Sequence, residues 1–198
     1  MKKTIKLLSL LLAFSLIFAL VSCGEKDSAD VTKVTISVRD YGDITLELYP
    51  QYAPETVANF VKLANEGFYE NVIFHRIYKD FMIQGGGFET DTPDTQKPAD
   101  RIKGEFSANG FKDNTLSHKR GVISMARAND PNSASSQFFI VHQDSEFLDG
   151  NYAAFGMVIE GMDVVDAIAE APVQPNMFTG EVSDPLNPPV IDKVTVIE

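Results

Sequence analysis

The sequence has 198 residues, of which 44% are hydrophobic and 23% are charged, so it can bury one ordinary core and is not a disordered polyelectrolyte. Its formal net charge is -11, and because the first 22 residues carry three lysines and no acid, the remainder holds 14 basic and 28 acidic residues. So acidic a surface repels phosphate backbones and anionic lipid headgroups, which excludes nucleic acid as an expected partner and disfavours electrostatic attachment to membranes.

The first 22 residues are typical of a secretory signal peptide. Three lysines precede an apolar run from Leu7 to Leu20, whose 14 residues are too few to cross a bilayer comfortably. The tripeptide Leu-Val-Ser then precedes Cys23, the only cysteine of the chain, and this pattern resembles the lipobox of bacterial lipoproteins. We expect a signal peptide over residues 1–22 and a lipid on Cys23 that anchors the chain outside the cytoplasm, on the bacterial cell membrane. An ordinary signal peptide followed by an incidental cysteine is the alternative.

Residues 23–30 are polar, which predicts a short tether, and residues 31–198 are expected to form one domain. Apolar residues alternate with polar ones over 34–38 and again over 44–48, with the turn signal Asp-Tyr-Gly-Asp between them, so a β-hairpin is predicted. Pro54 then opens a helix with apolar residues at helical spacing, and Gly67 lies where a C-terminal cap is expected.

The rest of the domain predicts more strands and one more helix. Strand-like runs cover 72–78, 81–84, 121–126, 137–141, 154–159 and 190–197, and a short helix is predicted over Met162 to Ala171. About eight strands and two helices that do not alternate as βαβ units favour a closed antiparallel β-barrel capped by helices, since closure removes the sheet edges. The loop-rich segments 91–103 and 172–189 have no predicted contacts.

Arg76 is the most informative polar residue, because it stands in the segment Phe74–Gly87 among aromatic and apolar residues. Alternate side chains of a strand share a face, so Arg76 is either a salt-bridged structural residue or a donor aimed into a pocket. Three later segments, 121–128, 135–140 and 147–156, each add apolar side chains next to an amide or a small residue.

These four segments, together with Glu160–Ile168, resemble the successive sequence blocks of cyclophilins and follow in the same order. The resemblance covers about residues 34–170. It implies an eight-stranded antiparallel barrel with a helix at each end and a groove on the outer face that binds an extended Xaa-Pro segment. It also implies a peptidyl-prolyl cis/trans isomerase without a cofactor, which would act here in the folding of exported proteins.

The resemblance also implies the site residues. Arg76 matches the catalytic arginine and Gln84 the glutamine that orients it. Phe81 completes the catalytic group and, with Met82, Phe139 and Leu148, forms the walls of the proline pocket. The remaining substrate-binding positions are His75, Ala126, Arg127, Gln137, Phe147 and Tyr152. Composition alone is equally consistent with the four pocket residues lying in the barrel core. Phe147 and Tyr152 stand where eukaryotic cyclophilins often carry Trp and His, which predicts weaker binding of cyclosporin.

Other kinds of site find little support. The three histidines lack the spacing of a zinc site, so no metal is expected. Gly85–Gly87 lacks the Lys-Ser/Thr and the helix that follow a phosphate-binding loop, so phosphate binding is not expected there either. A monomer that binds proline-containing unfolded segments is expected. The alternative function is a non-catalytic chaperone or scaffold of cyclophilin fold, which would not need the charged donor Arg76.

Overall fold

The computed structural model describes residues 31–197. The predicted signal peptide, Cys23 and the tether 23–30 lie outside the described residues. The strands are β1 Thr32–Val38, β2 Gly42–Leu48, β3 Val72–Tyr78, β4 Met82–Glu89, β5 Thr92–Gln96, β6 Val122–Met125, β7 Phe138–Val141, β8 Ala154–Glu160, β9 Val173–Pro175, β10 Val182–Pro185 and β11 Val190–Ile197. The helices are α1 Pro54–Asn65 and α2 Met162–Ala169.

Eight of the strands close into the predicted antiparallel barrel. Their order around the barrel is β3-β11-β1-β2-β8-β6-β7-β4, and β4 pairs back onto β3 to complete the ring. Two additions stand outside it. Strand β5 extends the sheet beside β4, and β9 and β10 form a separate two-stranded hairpin within the loop-rich segment 172–189.

The helices close the barrel much as the sequence predicts. Helix α1 begins at Pro54, and the buried carboxylate of Glu105 accepts hydrogen bonds from the first free backbone N–H groups, those of Glu55 and Thr56, at 3.0 and 2.8 Å. Gly67 adopts the left-handed conformation expected after a helix end. Helix α2 ends at Ala169, so the predicted end at Ala171 was two residues too far. Within residues 31–197, no helix is long and apolar enough to cross a membrane.

Two apolar clusters lie on opposite faces of the same strands. The interior cluster fills the barrel and includes the inward faces of both helices. The outer cluster lies on the outside of β4, β6, β7 and β8, where its buried members are Met82, Val122, Phe139, Val141, Leu148 and Ala154. Neighbouring residues separate cleanly between the two, as with Phe138 inside and Phe139 outside, because successive side chains of a strand alternate.

A β-bulge at His75 interrupts this alternation on β3. Phe74 is paired with Gly85 and Arg76 with Gln84, so β3 advances two residues where β4 advances one. Phe74 belongs to the interior cluster, and strict alternation would send Arg76 inward as well. The extra residue reverses the direction of the next side chain, so Arg76 reaches the outer face directly opposite Gln84.

The run of glycines on β4 allows the segment that leads into β7 to approach closely. Gly86 has a φ of +89°, and a Cβ there would come within 2.6 Å of the carbonyl oxygen of Ser136. At Gly87 a Cβ would come within 2.5 Å of the Gln137 side chain. The structure therefore gives Gly85–Gly87 a packing role, consistent with the absence of the other elements of a phosphate-binding loop.

Candidate active site

The outer cluster forms the base of a pocket of about 130 Å³. Its floor consists of the buried side chains of Met82, Phe139 and Leu148, and the half-buried Phe81 closes one edge. The turn between β3 and β4 positions Phe81, because Asp80 adopts a left-handed conformation and the N–H of Phe81 donates to the carbonyl of Tyr78 at 3.0 Å. The lining residues are Arg76, Phe81, Met82, Gln84, Ala126, Arg127, Phe139, Leu148 and Tyr152.

Arg76 brings a permanent positive charge to this apolar pocket, and its side chain is 33% exposed. Its Nη1 donates to Oε1 of Gln84 at 3.3 Å and lies 3.9 Å from the sulfur of Met82. Nε2 of Gln84 in turn donates to Oε1 of Gln137 at 3.0 Å. Arg76, Gln84 and Gln137 therefore form a chain of side chains that runs across β3 and β4 to the residue before β7.

Glu181 is a partner of Arg76 that the sequence analysis missed. Nε and Nη2 of Arg76 donate to the two carboxylate oxygens of Glu181 at 2.7 and 2.8 Å, in a bidentate ion pair. These hydrogen bonds lower the pKa of Glu181, against the opposing effect of its partial burial. The partners are 105 positions apart, and Glu181 lies in a segment with no periodicity, so no local pattern could have identified it.

A buried polar group supports the floor of the pocket from behind. His118 stacks on the ring of Phe139 with 6.0 Å between ring centroids, and its two nitrogens lie 2.8 Å from Oδ1 of Asp149 and 2.9 Å from Oγ of Ser124. Burial lowers the pKa of His118, although Asp149 opposes the effect. In the neutral imidazole, Nδ1–H donates to Asp149, since a carboxylate can only accept, and this leaves Nε2 to accept from the hydroxyl of Ser124.

A second pocket of about 530 Å³ adjoins the first, and the two share Gln84, Ala126 and Arg127 in their linings. Gln137 and residues 96–99, at the end of β5 and beyond it, also line it. The side chain of Arg127 is committed to the protein, because Nε donates to the carbonyl of Asn151 at 3.0 Å and its guanidinium lies 4.7 Å from the ring centroid of Tyr152. The two pockets together make a groove that can hold several residues of an extended chain.

Three of the sequence-predicted residues lie at or beyond the edge of this groove. Phe147 is 72% exposed at the rim, where its ring lies 5.5 Å from that of Phe81. Tyr152 packs edge-on against Phe139 with 5.9 Å between centroids. His75 lines neither pocket, because as the bulge residue it packs edge-on against Phe88 at 4.6 Å. Nδ1 of His75 is buried and has no hydrogen-bond partner among residues 31–197.

The chemistry that this pocket can perform is limited by what lines it. It offers an apolar cavity and an oriented cationic donor. Ser124 is fully buried beneath the floor and hydrogen-bonded to His118, so its hydroxyl cannot reach a ligand in the pocket. In the part of the chain that the structure describes, no three metal-ligating side chains converge.

Known proteins are similar to this chain in both sequence and fold. The family model described as cyclophilin type peptidyl-prolyl cis-trans isomerase matches residues 33–196. The chain is 47% identical over 136 residues to a peptidyl-prolyl cis-trans isomerase of Acinetobacter baylyi, covering 66% of this chain and 69% of the relative. It is 40% identical over 167 residues to peptidyl-prolyl cis-trans isomerase B of Escherichia coli, covering 80% and 96%.

A solved structure of a cyclophilin has the same fold as this chain. The crystal structure of a cyclophilin type isomerase of Cryptosporidium parvum, determined in the presence of the dipeptide Ala-Pro, superposes with a TM-score of 0.67 at 28% identity, covering 84% of this chain and 99% of the other. The family match spans nearly the whole described domain, and the barrel closes as the resemblance implied. The chain therefore belongs to the cyclophilin family and is a peptidyl-prolyl cis-trans isomerase.

Proposed function

We propose that the 130 Å³ pocket binds the proline ring of an extended Xaa-Pro segment and that Arg76 is the catalytic donor. The observation that carries the proposal is the position of Arg76, whose Nη1 faces the apolar lining while Gln84 holds it from one side. The larger pocket next to it takes the residues adjacent to the proline. The Ala-Pro dipeptide used with the Cryptosporidium parvum relative is a ligand of the same chemistry.

The mechanism follows from the electronic structure of the amide. Rotation is slow because the nitrogen lone pair is delocalised into the carbonyl, with a barrier of about 18–20 kcal/mol. In the twisted transition state the lone pair returns to the proline nitrogen, so a donor aimed at that atom binds the transition state more tightly than the planar ground state. Arg76 is such a donor, and it keeps its proton throughout.

The apolar lining has two functions in this mechanism. Phe81, Met82 and Phe139 hold the ring in place, and they exclude water from around the guanidinium. Lower local polarity strengthens the contact that Arg76 makes and favours the less polar twisted amide. The reaction needs no nucleophile, and the pocket presents none.

An exchange experiment tests the assignment of the site. The rate of cis/trans exchange of an Ala-Pro peptide is measured by NMR with the wild type, with Arg76→Ala and with Arg39→Ala, which removes an arginine from the exposed ion pair with Asp192. We expect exchange to slow by about 100-fold or more only in Arg76→Ala. Equal loss in both variants, or in neither, would contradict the proposal. A protein that binds the peptide without accelerating exchange would instead be a proline-binding chaperone.

We further propose that the enzyme acts on exported chains while anchored to the bacterial cell membrane by a lipid on Cys23. The support is the sequence alone: a signal-like N-terminus followed by Leu-Val-Ser and the only cysteine. Two or three acyl chains would hold the protein stably at the membrane, where one would not. The whole chain is expressed in a bacterium and the membrane fraction is assayed for the protein. Cys23→Ala should release it, Cys23→Ser likewise, and a wild type that is soluble with a free thiol would contradict the assignment.

A further inference from the structure

The hairpin of β9 and β10 brings a carboxylate to the edge of the active site from outside the barrel. The turn that precedes Glu181 is closed by hydrogen bonds: the N–H of Asn176 donates to the carbonyl of Glu181 at 2.7 Å, and the Asn176 side chain donates to both carboxylate oxygens of Asp184 at 3.0 and 3.1 Å. Ser183, two residues after Glu181, is buried. Glu181 therefore stands on a structured element.

Glu181 and Gln84 hold opposite edges of the same planar group. Glu181 accepts from Nε and Nη2 of Arg76 at 2.7 and 2.8 Å, whereas Gln84 accepts from Nη1 at 3.3 Å. A bidentate carboxylate defines the plane of a guanidinium as well as its position, which a single long hydrogen bond to Gln84 does not. Nη2 keeps one N–H without a partner among residues 31–197, and beyond Gln84 the only other contact of Nη1 is the weak one with the sulfur of Met82 at 3.9 Å, so both nitrogens can donate to a substrate.

We infer that Glu181 is a positioning residue for isomerisation: through its bidentate contact it orients the Arg76 guanidinium so that a free N–H faces the proline nitrogen as the amide twists. This inference rests on the proposed role of Arg76. A purely structural role, in which the pair only ties the hairpin of β9 and β10 to β3, would appear as a change in the free energy of unfolding, whereas a positioning role appears in kcat. An ordered donor, in contrast, avoids reorganisation in the transition state.

Glu181→Gln is the variant that tests the inference, because it keeps the shape of the side chain and replaces one acceptor by an N–H that faces the N–H groups of Arg76. Turnover and peptide affinity are measured separately by NMR line-shape analysis of an Ala-Pro peptide. We expect kcat to fall roughly 10-fold with KM within about 2-fold, a smaller loss than the about 100-fold that a 1 Å misplacement causes.

Glu181→Asp, which keeps the charge, should recover part of the turnover. Glu170→Gln is the matched control, because it removes a carboxylate from the exposed ion pair with Lys79, beyond the end of β3, and should leave kcat unchanged.

A double-variant cycle separates this inference from the assignment of Arg76. If Glu181 acts through Arg76, then Glu181→Gln should cause no further loss in an Arg76→Ala background, assayed at higher enzyme concentration. A 10-fold loss that persists in that background, or a Glu181→Gln variant with wild-type kcat, would overturn the inference while leaving Arg76 in place. An Arg76→Ala variant with wild-type activity would overturn the proposed function itself, and the role of Glu181 with it.

Discussion

The interior cluster and the outer cluster are made by the same strands but differ in what surrounds them. The interior cluster is sealed by both helices, and aromatic rings such as those of Phe60 and Phe138 meet edge-on at its centre with 5.6 Å between centroids. The outer cluster is smaller, and its polar neighbours Arg76, Gln84 and His118 have defined hydrogen-bond partners. The interior cluster is almost wholly apolar, with the hydroxyl of Tyr69 bonded to the carbonyl of Ser136 at 3.1 Å, whereas the outer cluster must keep an open surface for a ligand.

The difference predicts that residues of the interior cluster mainly determine stability, whereas residues of the outer cluster also determine activity. Inside the barrel, every atom removed leaves a cavity that the neighbours only partly fill. On the outer face, the floor side chains are almost as buried but border the pocket, so removal of one of them enlarges the site as well as lowering the free energy of unfolding. Adjacent residues on one strand therefore serve different purposes.

Phe138 and Phe139 provide the most direct test of this separation, and the largest expected effect. Phe138→Ala should lower the free energy of unfolding by about 3–5 kcal/mol, because the ring is completely buried among other aromatic rings. Phe139→Ala should cost less stability but weaken peptide binding, since the ring holds the ground state and the transition state alike. Urea unfolding and peptide titration measure the two quantities. Equal losses of stability in both variants would refute the separation.

Arg76→Lys should affect catalysis nearly as strongly while leaving the fold intact. Lysine keeps the charge but replaces a planar fork by a mobile point charge, which neither Glu181 nor Gln84 can orient in the same way. We expect a loss of about 2.7–4 kcal/mol in transition-state stabilisation, or roughly 100- to 1000-fold, in kcat more than in KM. The melting temperature should stay close to that of the wild type. Near-normal exchange in this variant would mean that the apolar pocket alone accounts for catalysis.

His75, the bulge residue between Phe74 and Arg76, predicts how stability depends on pH. Burial, aided by the neighbouring charge of Arg76 and opposed by Asp184, lowers the pKa of His75 to about 4. Below about pH 6.5 the unfolded chain binds a proton that the folded protein does not, so stability present above that pH is lost as the pH falls toward 4. The shift corresponds to about 3 kcal/mol in the free energy of unfolding.

Unfolding in urea at pH 7 and at pH 4.5 measures this dependence. His75→Leu cannot take up the proton and leaves no unpaired buried nitrogen, so the fall in stability over this range should be clearly smaller than in the wild type. Residual dependence would come from His118 and, near pH 4.5, from Glu181, since the pKa of each is lowered in the folded protein. An unchanged pH dependence in His75→Leu would show that the bulge residue does not contribute.

The smallest expected effect concerns the rim of the outer cluster. Phe147 is largely exposed and has no indole N–H, so one hydrogen bond available to Trp-bearing cyclophilins would be missing in a complex with cyclosporin. Phe147→Trp should tighten inhibition by about 1 kcal/mol, or roughly 5-fold, without changing isomerisation of a short peptide. An inhibition assay on both forms measures this change. Equal inhibition constants would mean that the rim residue is not the determinant.

The strands and helices of the barrel could be predicted from the sequence because their signals are local. The alternation of apolar residues in β1 and β2, Pro54 at the start of α1 and Gly67 after its end determine those elements through contacts within a few residues. The pairing of Arg76 with Gln84 was implied only by resemblance to a family. The hairpin of β9 and β10 was not predicted, because its short strands have no periodicity and form only against each other and against β3.

The tertiary structure alone decided how the predicted residues become a site. The strand pattern by itself would point Arg76 into the barrel beside Phe74, and the bulge at His75, which exists only through the register of β3 on β4, turns it outward. Likewise, no local sequence pattern connects Glu181 or His118 with the pocket, since each contacts the site through a partner far along the chain, Arg76 and Phe139 respectively. Local composition determines which elements form, but the direction of a side chain and its distant partners depend on how those elements pair and pack.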